Sequence, residues 1–263
     1  MKVFLKAYCK INLFLNVCYF KHEVFKKHKL ESVCLKYHEL YDEVYISKNN
    51  TLMINYFKDN EEISFENDLI KKSLLWLKNR FNLIDINYQI LVIKKIPIGS
   101  GLGGESSDVA TILNFVCKQN RIILNTKDYL DIALELGSDI CFFLFDYDLA
   151  YVTDYGNIVK PLLNIKIKYE LLLNPNVNSS TKKVFSVFDT LVNNFECFLG
   201  YEQIVYILQN KKYHCLFNNL KKAIFLCYEE LKIIYDNLIL TYKEDYVLLS
   251  GSGSSIVLIK KDE

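Results

Sequence analysis

Residues 3–20, VFLKAYCKINLFLNVCYF, set β-branched and aromatic side chains at close spacing and read as a strand. A polar connection follows over 21–32. VCLKYHELYDEVYISKNN (33–50) predicts strand, turn and strand, and TLMINYF (51–57) a further short strand. The period changes in NDLIKKSLLWLKNRF (67–81), where apolar residues at 69, 70, 74, 75, 77 and 81 keep helical spacing, with Asn67 or Asp68 as cap. INYQILVIKKI (86–96) reads as a strand and DVATILNFVCKQN (108–120) as a helix. TKDYLDIALELG (126–137) is a second helix, with Thr126 as N-cap and Gly137 as its stop. ICFFLFDYDLAYVTDYGNIVKPL (140–162) predicts strand, turn and strand. YELLLNP (169–175) follows as a strand, STKKVFSVFDTL (180–191) as a helix, and 201–237 as two or three helical pieces. YVLLSGSGSSIVLIKK (246–261) is strand, Ser/Gly turn, strand: a hairpin-like unit or a βα-like loop. Strands in blocks with helices between them predict an α+β fold. A soft boundary falls near 155–165, without a repeat or a low-complexity linker.

Composition narrows the classes. The chain has 263 residues, 51% of them hydrophobic, enough to bury a large core. Lys and Arg (32) nearly balance Asp and Glu (31), so no basic excess points to nucleic acid. Eight cysteines are scattered without a C-x-x-C pair, which argues against a zinc site and for reduced, buried thiols. The apolar N-terminus is broken by Lys2, Lys6 and Lys10 and does not read as a signal peptide. No apolar run reaches about 18 residues, so no membrane span is expected. A cytoplasmic location, with no membrane or nucleic-acid partner, follows as the expectation.

Four of the nine glycines fall in IPIGSGLGGESSD (96–108), between a predicted strand and a predicted helix. Such a turn places successive backbone N–H groups around a phosphate, and the helix N-terminus adds partial positive charge. A P-loop would need G-K-[ST], and no lysine stands there. Gly99, Gly101 and Gly104 meet the dinucleotide spacing G-x-G-x-x-G, but no acidic strand end follows about 20 residues on. Pro97, Gly101, Leu102, Gly103, Ser106 and Ser107 fit a third pattern, P-x-x-x-G-L-G-x-x-S-S. This is the nucleotide loop of the kinase superfamily that includes galactokinase, homoserine kinase, mevalonate kinase and phosphomevalonate kinase.

Four more stretches, in order, resemble one member family, 4-diphosphocytidyl-2-C-methyl-D-erythritol kinase. KAYCKINLFLNV (6–17) resembles its A-x-A-K-[IL]-N-L-x-L strand and LELGSDICFFL (134–144) its L-G-A-D-V-P-F-F segment. LLLNPNVNSSTKKVFSVF (171–188) resembles P-x-x-x-[VS]-S-T-x-x-x-[FY], and LLSGSGSSIVLI (248–259) the closing S-G-S-G-[SA] loop. The resemblance implies a two-domain fold of that superfamily. Residues 1–158 would form a nucleotide-binding domain of ribosomal-S5-domain-2-like topology, and 159–263 a ferredoxin-like α+β domain. It also implies ATP and Mg²⁺ as cofactors, a small-molecule partner carrying a cytidine diphosphate group, and a monomer or homodimer.

The implied site is specific. Lys10 and Asp139 fall at the catalytic positions, where Asp139 would accept a hydroxyl proton and Lys10 would stabilise charge. Lys94, Pro97, Gly99, Gly101, Leu102, Gly103, Gly104, Glu105, Ser106 and Ser107 would bind the nucleotide. Asn12, His28, Tyr155, Thr181 and Phe185 would bind the substrate, with Phe185 as the flat platform for cytosine. No dedicated metal site is implied; Mg²⁺ would come with ATP, near Glu105 or Ser106. The chain departs from the family pattern at three ligand positions. Lys27 replaces a stacking tyrosine, with Phe25 or Lys27 itself as the stand-in; Asp68 replaces an asparagine; Glu105 replaces a glycine. Two further readings stay open: a kinase of the same superfamily for homoserine or a mevalonate derivative, and a non-catalytic nucleotide-binding relative.

Overall fold

The computed structural model describes residues 2–21, 27–173, 177–191, 198–243 and 245–261. Its chain order is β1 (Val3–Lys21), β2 (His28–Lys48), β3 (Met53–Lys58), β4 (Glu61–Ile63), α1 (Leu69–Phe81), β5 (Tyr88–Ile93), α2 (Gly104–Asn120), α3 (Thr126–Glu135), α4 (Ile140–Phe145), β6 (Leu149–Asp154) and β7 (Ile158–Pro161). There follow β8 (Tyr169–Leu172), α5 (Thr181–Phe188), α6 (Tyr201–Gln209), a 3₁₀ turn (Tyr213–Cys215), α7 (Lys221–Cys227), α8 (Glu229–Thr241), β9 (Tyr246–Leu249) and β10 (Ile256–Ile259). The α+β expectation holds.

The first sheet runs β4-β3-β5-β2-β6-β7, with β1 on the other edge of β2. Residues 33–50 do not turn: β2 is one strand, pairing with β6 through Leu30–Leu35 and with β5 through Glu43–Lys48. It stays one strand because β1 runs antiparallel beside both its halves, with a bulge at residues 38–40 where its other edge passes from β6 to β5. The second sheet is antiparallel, β8-β10-β9, so residues 246–261 form the hairpin rather than a βα loop.

Three packed clusters follow from the side-chain periods. Helices α1–α4 cover one face of the first sheet, where Leu74, Leu77, Val109, Ile112 and Val116 meet Val44, Ile46, Ile90 and Val92. On β1, alternation puts Cys9, Ile11 and Leu13 into a second cluster with Ile204, Leu208, Val257 and Ile259. That cluster joins the two halves of the chain across one face of the second sheet. The opposite face, with Val247, Leu249, Ile256 and Leu258, packs on α5, α7 and α8. Each such aliphatic contributes about 1.5–3 kcal/mol by leaving water. The buried Glu31 also bridges the halves, accepting from the Tyr151 hydroxyl at 2.8 Å and from the N–H groups of Leu199 (2.8 Å) and Gly200 (2.6 Å). The first sheet ends at Pro161 and the second begins at Tyr169, so the expected cut after 158 falls inside β7.

Local corrections have physical causes. ICFFLF, an apolar run read as a strand, is the helix α4; it is buried on all sides, so no period marked it. Asn125, not Thr126, caps α3, in a capping box with Asp128. Helix α2 begins at Gly104, inside the glycine loop and four residues before the expected start.

Candidate active site

A cavity of about 850 Å³ opens where β1, the glycine loop, the start of α4, the start of β2, α5 and the β9–β10 turn converge. Alternation on β1 explains its first residues. With odd positions in the core, Lys10 and Asn12 share the opposite face and line the cavity.

The glycine loop forms one wall. Gly99, Gly101 and Gly103 have φ of +69°, +76° and +71°, a region that side-chain-bearing residues avoid. At Gly101 a Cβ would fall 2.4 Å from the Ser250 carbonyl and 2.7 Å from that of Gly253. The phosphate loop and the β9–β10 turn therefore meet backbone to backbone, aided by Ser255 N–H donating to the Ser100 carbonyl at 3.0 Å. A Cβ on Gly103 would lie 3.1 Å from Lys10 Cε, so this glycine lets Lys10 lie against the loop. No side chain caps α2, whose first amides lie at the cavity wall with Gly104, Glu105 and Ser106. This uncapped, glycine-built cradle fits the phosphates of a nucleotide.

Two expected nucleotide residues have other partners. Ser107 does not line the cavity; its hydroxyl donates to the Tyr8 carbonyl at 2.6 Å and ties α2 to β1. Lys94 lines the wall but is 5% exposed, and its ammonium pairs with Asp42 and, at 2.6 Å, with Asp108. Burial opposes its charge, yet Asp108 and Asp42 hold it above the usual lysine range. Glu105 stands exposed in the first turn of α2, at the rim, and its backbone belongs to the cradle. Among the described residues no cluster of three His, Cys, Asp or Glu could hold a metal unaided. The hard oxygens of Glu105 and Ser106 suit Mg²⁺ arriving with phosphates, since that ion commonly takes only one or two protein carboxylates.

Asp108 is wholly buried. Burial first, then the nearby Asp42 carboxylate, push it up to about 8 against the counter-pull of Lys94. A carboxyl raised in the folded state stabilises below its unfolded value and loses that contribution as pH rises through its folded value. Through this group the midpoint of thermal unfolding should therefore fall as pH rises from about 4 to about 8. Asp108→Asn should flatten that slope, and equal slopes for both proteins in a calorimetric series would refute the assignment.

At the next wall, Lys10 Nζ lies 3.3 Å from Asp139 Oδ2. Lys10 is 3% exposed and Asp139 43%, so a buried cation backs an accessible carboxylate. Asp139 stands at the N-cap position of α4 but makes no capping bond, so its carboxylate does not serve the helix. Asn12 Oδ1 accepts from Lys10 Nζ, while Asn12 Nδ2 donates to Ser32 Oγ at 2.8 Å. Lys10 also gives its backbone N–H to the Leu102 carbonyl at 2.9 Å, which joins the pair to the glycine loop.

The far end holds His28, Thr181 and Phe185, with ring centroids of His28 and Phe185 5.6 Å apart. His28 Nδ1 donates to the Cys18 carbonyl at 2.6 Å, and Nε2 pairs with Asp189 Oδ1 at 2.8 Å. Both ring nitrogens are thus engaged by the protein. Thr181 Oγ1 bonds Ser252 Oγ at 2.9 Å. Sequence reasoning missed Asp189, although its spacing of four from Phe185 puts both on one side of α5. Lys27 lines the cavity and donates to the Ala133 carbonyl at 2.9 Å; burial, then Lys72, lower its pKa. Phe25 lies outside the described residues. Tyr155 does not reach the cavity: it is buried in the cluster beneath the first sheet's helices, and Val152 and Gly156 form the wall there.

The chain is similar to known proteins in sequence and in fold. Residues 68–147 match the model of the GHMP kinases N terminal domain. The chain is 35% identical to 4-diphosphocytidyl-2-C-methyl-D-erythritol kinase of Ureaplasma parvum serovar 3, covering 99% of this chain and 96% of that one. It is 29% identical to the protein of that name from Campylobacter jejuni strain RM1221, covering 98% and 100%. A solved 4-(cytidine 5'-diphospho)-2C-methyl-D-erythritol kinase superposes with a TM-score of 0.74 at 24% identity, covering 98% and 90%. Streptococcus pneumoniae phosphomevalonate kinase gives 0.65 at 15% identity, covering 100% and 92%.

Proposed function

We propose a reaction for a chain that belongs to the 4-diphosphocytidyl-2-C-methyl-D-erythritol kinase family: ATP-dependent phosphorylation of the 2-hydroxyl of 4-diphosphocytidyl-2-C-methyl-D-erythritol, in the non-mevalonate isoprenoid pathway. The observation that carries it is the Lys10–Asp139 pair, 3.3 Å apart, on the wall of a cavity that also holds the glycine cradle. A protein without catalysis has no chemical need for a buried lysine facing an accessible, non-capping aspartate.

When bound, ATP with Mg²⁺ supplies the phosphoryl group and part of the charge neutralisation. The amides at the start of α2 and in the glycine turn hold phosphate oxygens. Asp139 takes the proton from the 2-hydroxyl as that oxygen bonds to the γ-phosphorus of ATP and the bond to the departing ADP breaks. Lys10 balances the carboxylate and faces the charge that develops on the transferring group. Asn12 keeps the Lys10 ammonium in place through its side-chain oxygen. Phe185 and His28 line the end of the cavity where the cytosine ring belongs, with Thr181 beside them.

A coupled assay with the cytidyl substrate, ATP and Mg²⁺ should show turnover, and homoserine in its place should show none. Turnover with homoserine alone would overturn the substrate assignment. Nucleotide binding without turnover on either would favour a non-catalytic relative.

A further inference from the structure

Lys94 was expected to touch the nucleotide, yet its ammonium is spent on two buried carboxylates. Asp42, on β2, is fully buried and organises the group. Its Oδ2 accepts from Lys94 Nζ. Its Oδ1 accepts the backbone N–H of Lys95 and, at 2.8 Å, that of Ile96. Lys94 Nζ also donates to Asp108 Oδ2 at 2.6 Å. These three residues belong to three elements. Lys94 follows the last residue of β5, and Asp108 sits just past the first turn of α2. Between them runs the whole phosphate loop, from Pro97 to Gly103. The strand that enters the loop is thus fastened to Asp42 directly, and the helix that leaves it is joined to the same carboxylate through the Lys94 ammonium. Backbone approach is close as well: a Cβ on Gly104 would stand 3.1 Å from the Ile96 side chain and 3.4 Å from Asp42 Oδ2.

We propose that Asp42, Lys94 and Asp108 form a clasp that fixes both ends of the phosphate loop, acting as positioning residues for the nucleotide and not as contacts to it. An amide cradle binds phosphate well only when its N–H groups already converge, and glycines by themselves leave the loop many conformations. The clasp removes that freedom from outside the loop, so the glycines can remain glycines. This inference rests on the reading of residues 97–104 as the phosphate loop. It does not rest on the identity of the second substrate.

The test is a double-mutant cycle of Asp42→Asn and Lys94→Met, with Asp108→Asn as the milder third variant. ADP affinity is read by calorimetric titration, KM is read separately for ATP and for the cytidyl substrate, and amide exchange is followed over residues 97–104. In the clasp, each single change loosens the same loop. Both should raise the ADP dissociation constant and the KM for ATP by about tenfold or more. The double variant should be no worse than the weaker single, and the KM for the cytidyl substrate should move by less than about threefold. Exchange should quicken over 97–104 in all three. If Lys94 instead met the nucleotide directly, Asp42→Asn would free its ammonium and leave ADP affinity unchanged or tighter, which overturns the clasp. Equal loss of both KM values, in step with a lowered unfolding midpoint, would mark a general structural role and overturn it too. If Lys94→Met does not fold, Asp108→Asn decides: unchanged ADP affinity with unchanged exchange sinks the proposal. Failure of the substrate reading would appear differently, as wild-type protein that binds ADP but does not turn over the cytidyl substrate.

Discussion

Asp139→Asn is expected to lower kcat by about 10²–10⁴-fold, the usual range for losing a positioned general base. A thousandfold loss corresponds to about 4 kcal/mol of barrier. The KM for ATP should change little, because the glycine cradle and the start of α2 are untouched. Folding should survive as well: Asp139 is 43% exposed and makes no helix cap. Lys10→Met should cut kcat comparably, and the double variant should be little worse than either single, since the pair acts as a unit. Steady-state kinetics of the three variants check this. A variant at position 139 that keeps the rate within about fivefold would remove Asp139 from the chemistry.

Gly101→Ala is expected to have the second large effect, on stability and nucleotide binding together. Its φ of +76° is strained for alanine, at about 1–3 kcal/mol. The new methyl would also sit 2.4 Å from the Ser250 carbonyl oxygen and 2.7 Å from that of Gly253. Both neighbours are backbone, so neither can swing aside. The two loops must part, and the steric share adds about 1–3 kcal/mol or more. Gly200→Ala serves as the control for nucleotide binding. Nothing lies within 4 Å of its added carbon, but φ of +83° with ψ of 161° is a glycine-only backbone region, so it should lose stability through the backbone alone and keep ADP affinity. Chemical denaturation and ADP titration of both variants check this; wild-type ADP affinity in Gly101→Ala would mean that the loop–loop contact does not hold the phosphate loop.

The reach of the sequence differed between local and distant features. Helices α1 and α2 announced themselves through side-chain period, because each keeps a polar face, whereas β1, buried on both faces over residues 9–17, showed itself by its β-branched and aromatic content. Helix α4 did not, since ICFFLF is buried all round and carries no period. The turn expected within 33–50 is a bulge within one strand, at residues 38–40, with β1 paired on either side of it. Asp42, just past it, is buried for a tertiary reason. Its partners, Lys94 and Asp108, lie 52 and 66 positions away, beyond any local window.

For the site, the residue types at Lys10, Asp139 and 97–106 were legible because chemistry constrains them directly. Glycines at positive φ, a lysine beside a carboxylate and an aromatic platform each leave a mark in the string of letters. The structure decided which of these letters meet. It brought Lys10 to 3.3 Å from Asp139, turned Ser107 to β1, buried Tyr155 in the core and set Asp189 against His28. The reason is physical. A side chain's chemistry belongs to the residue, whereas its direction and its neighbours are settled by the packing of segments far apart in the chain. Sequence alone therefore determined the glycine loop and the family and marked Lys10 and Asp139 as candidates; only the tertiary structure decided that Lys94 turns to Asp42 and Asp108 and that two glycine turns, some 150 residues apart, close on each other backbone to backbone.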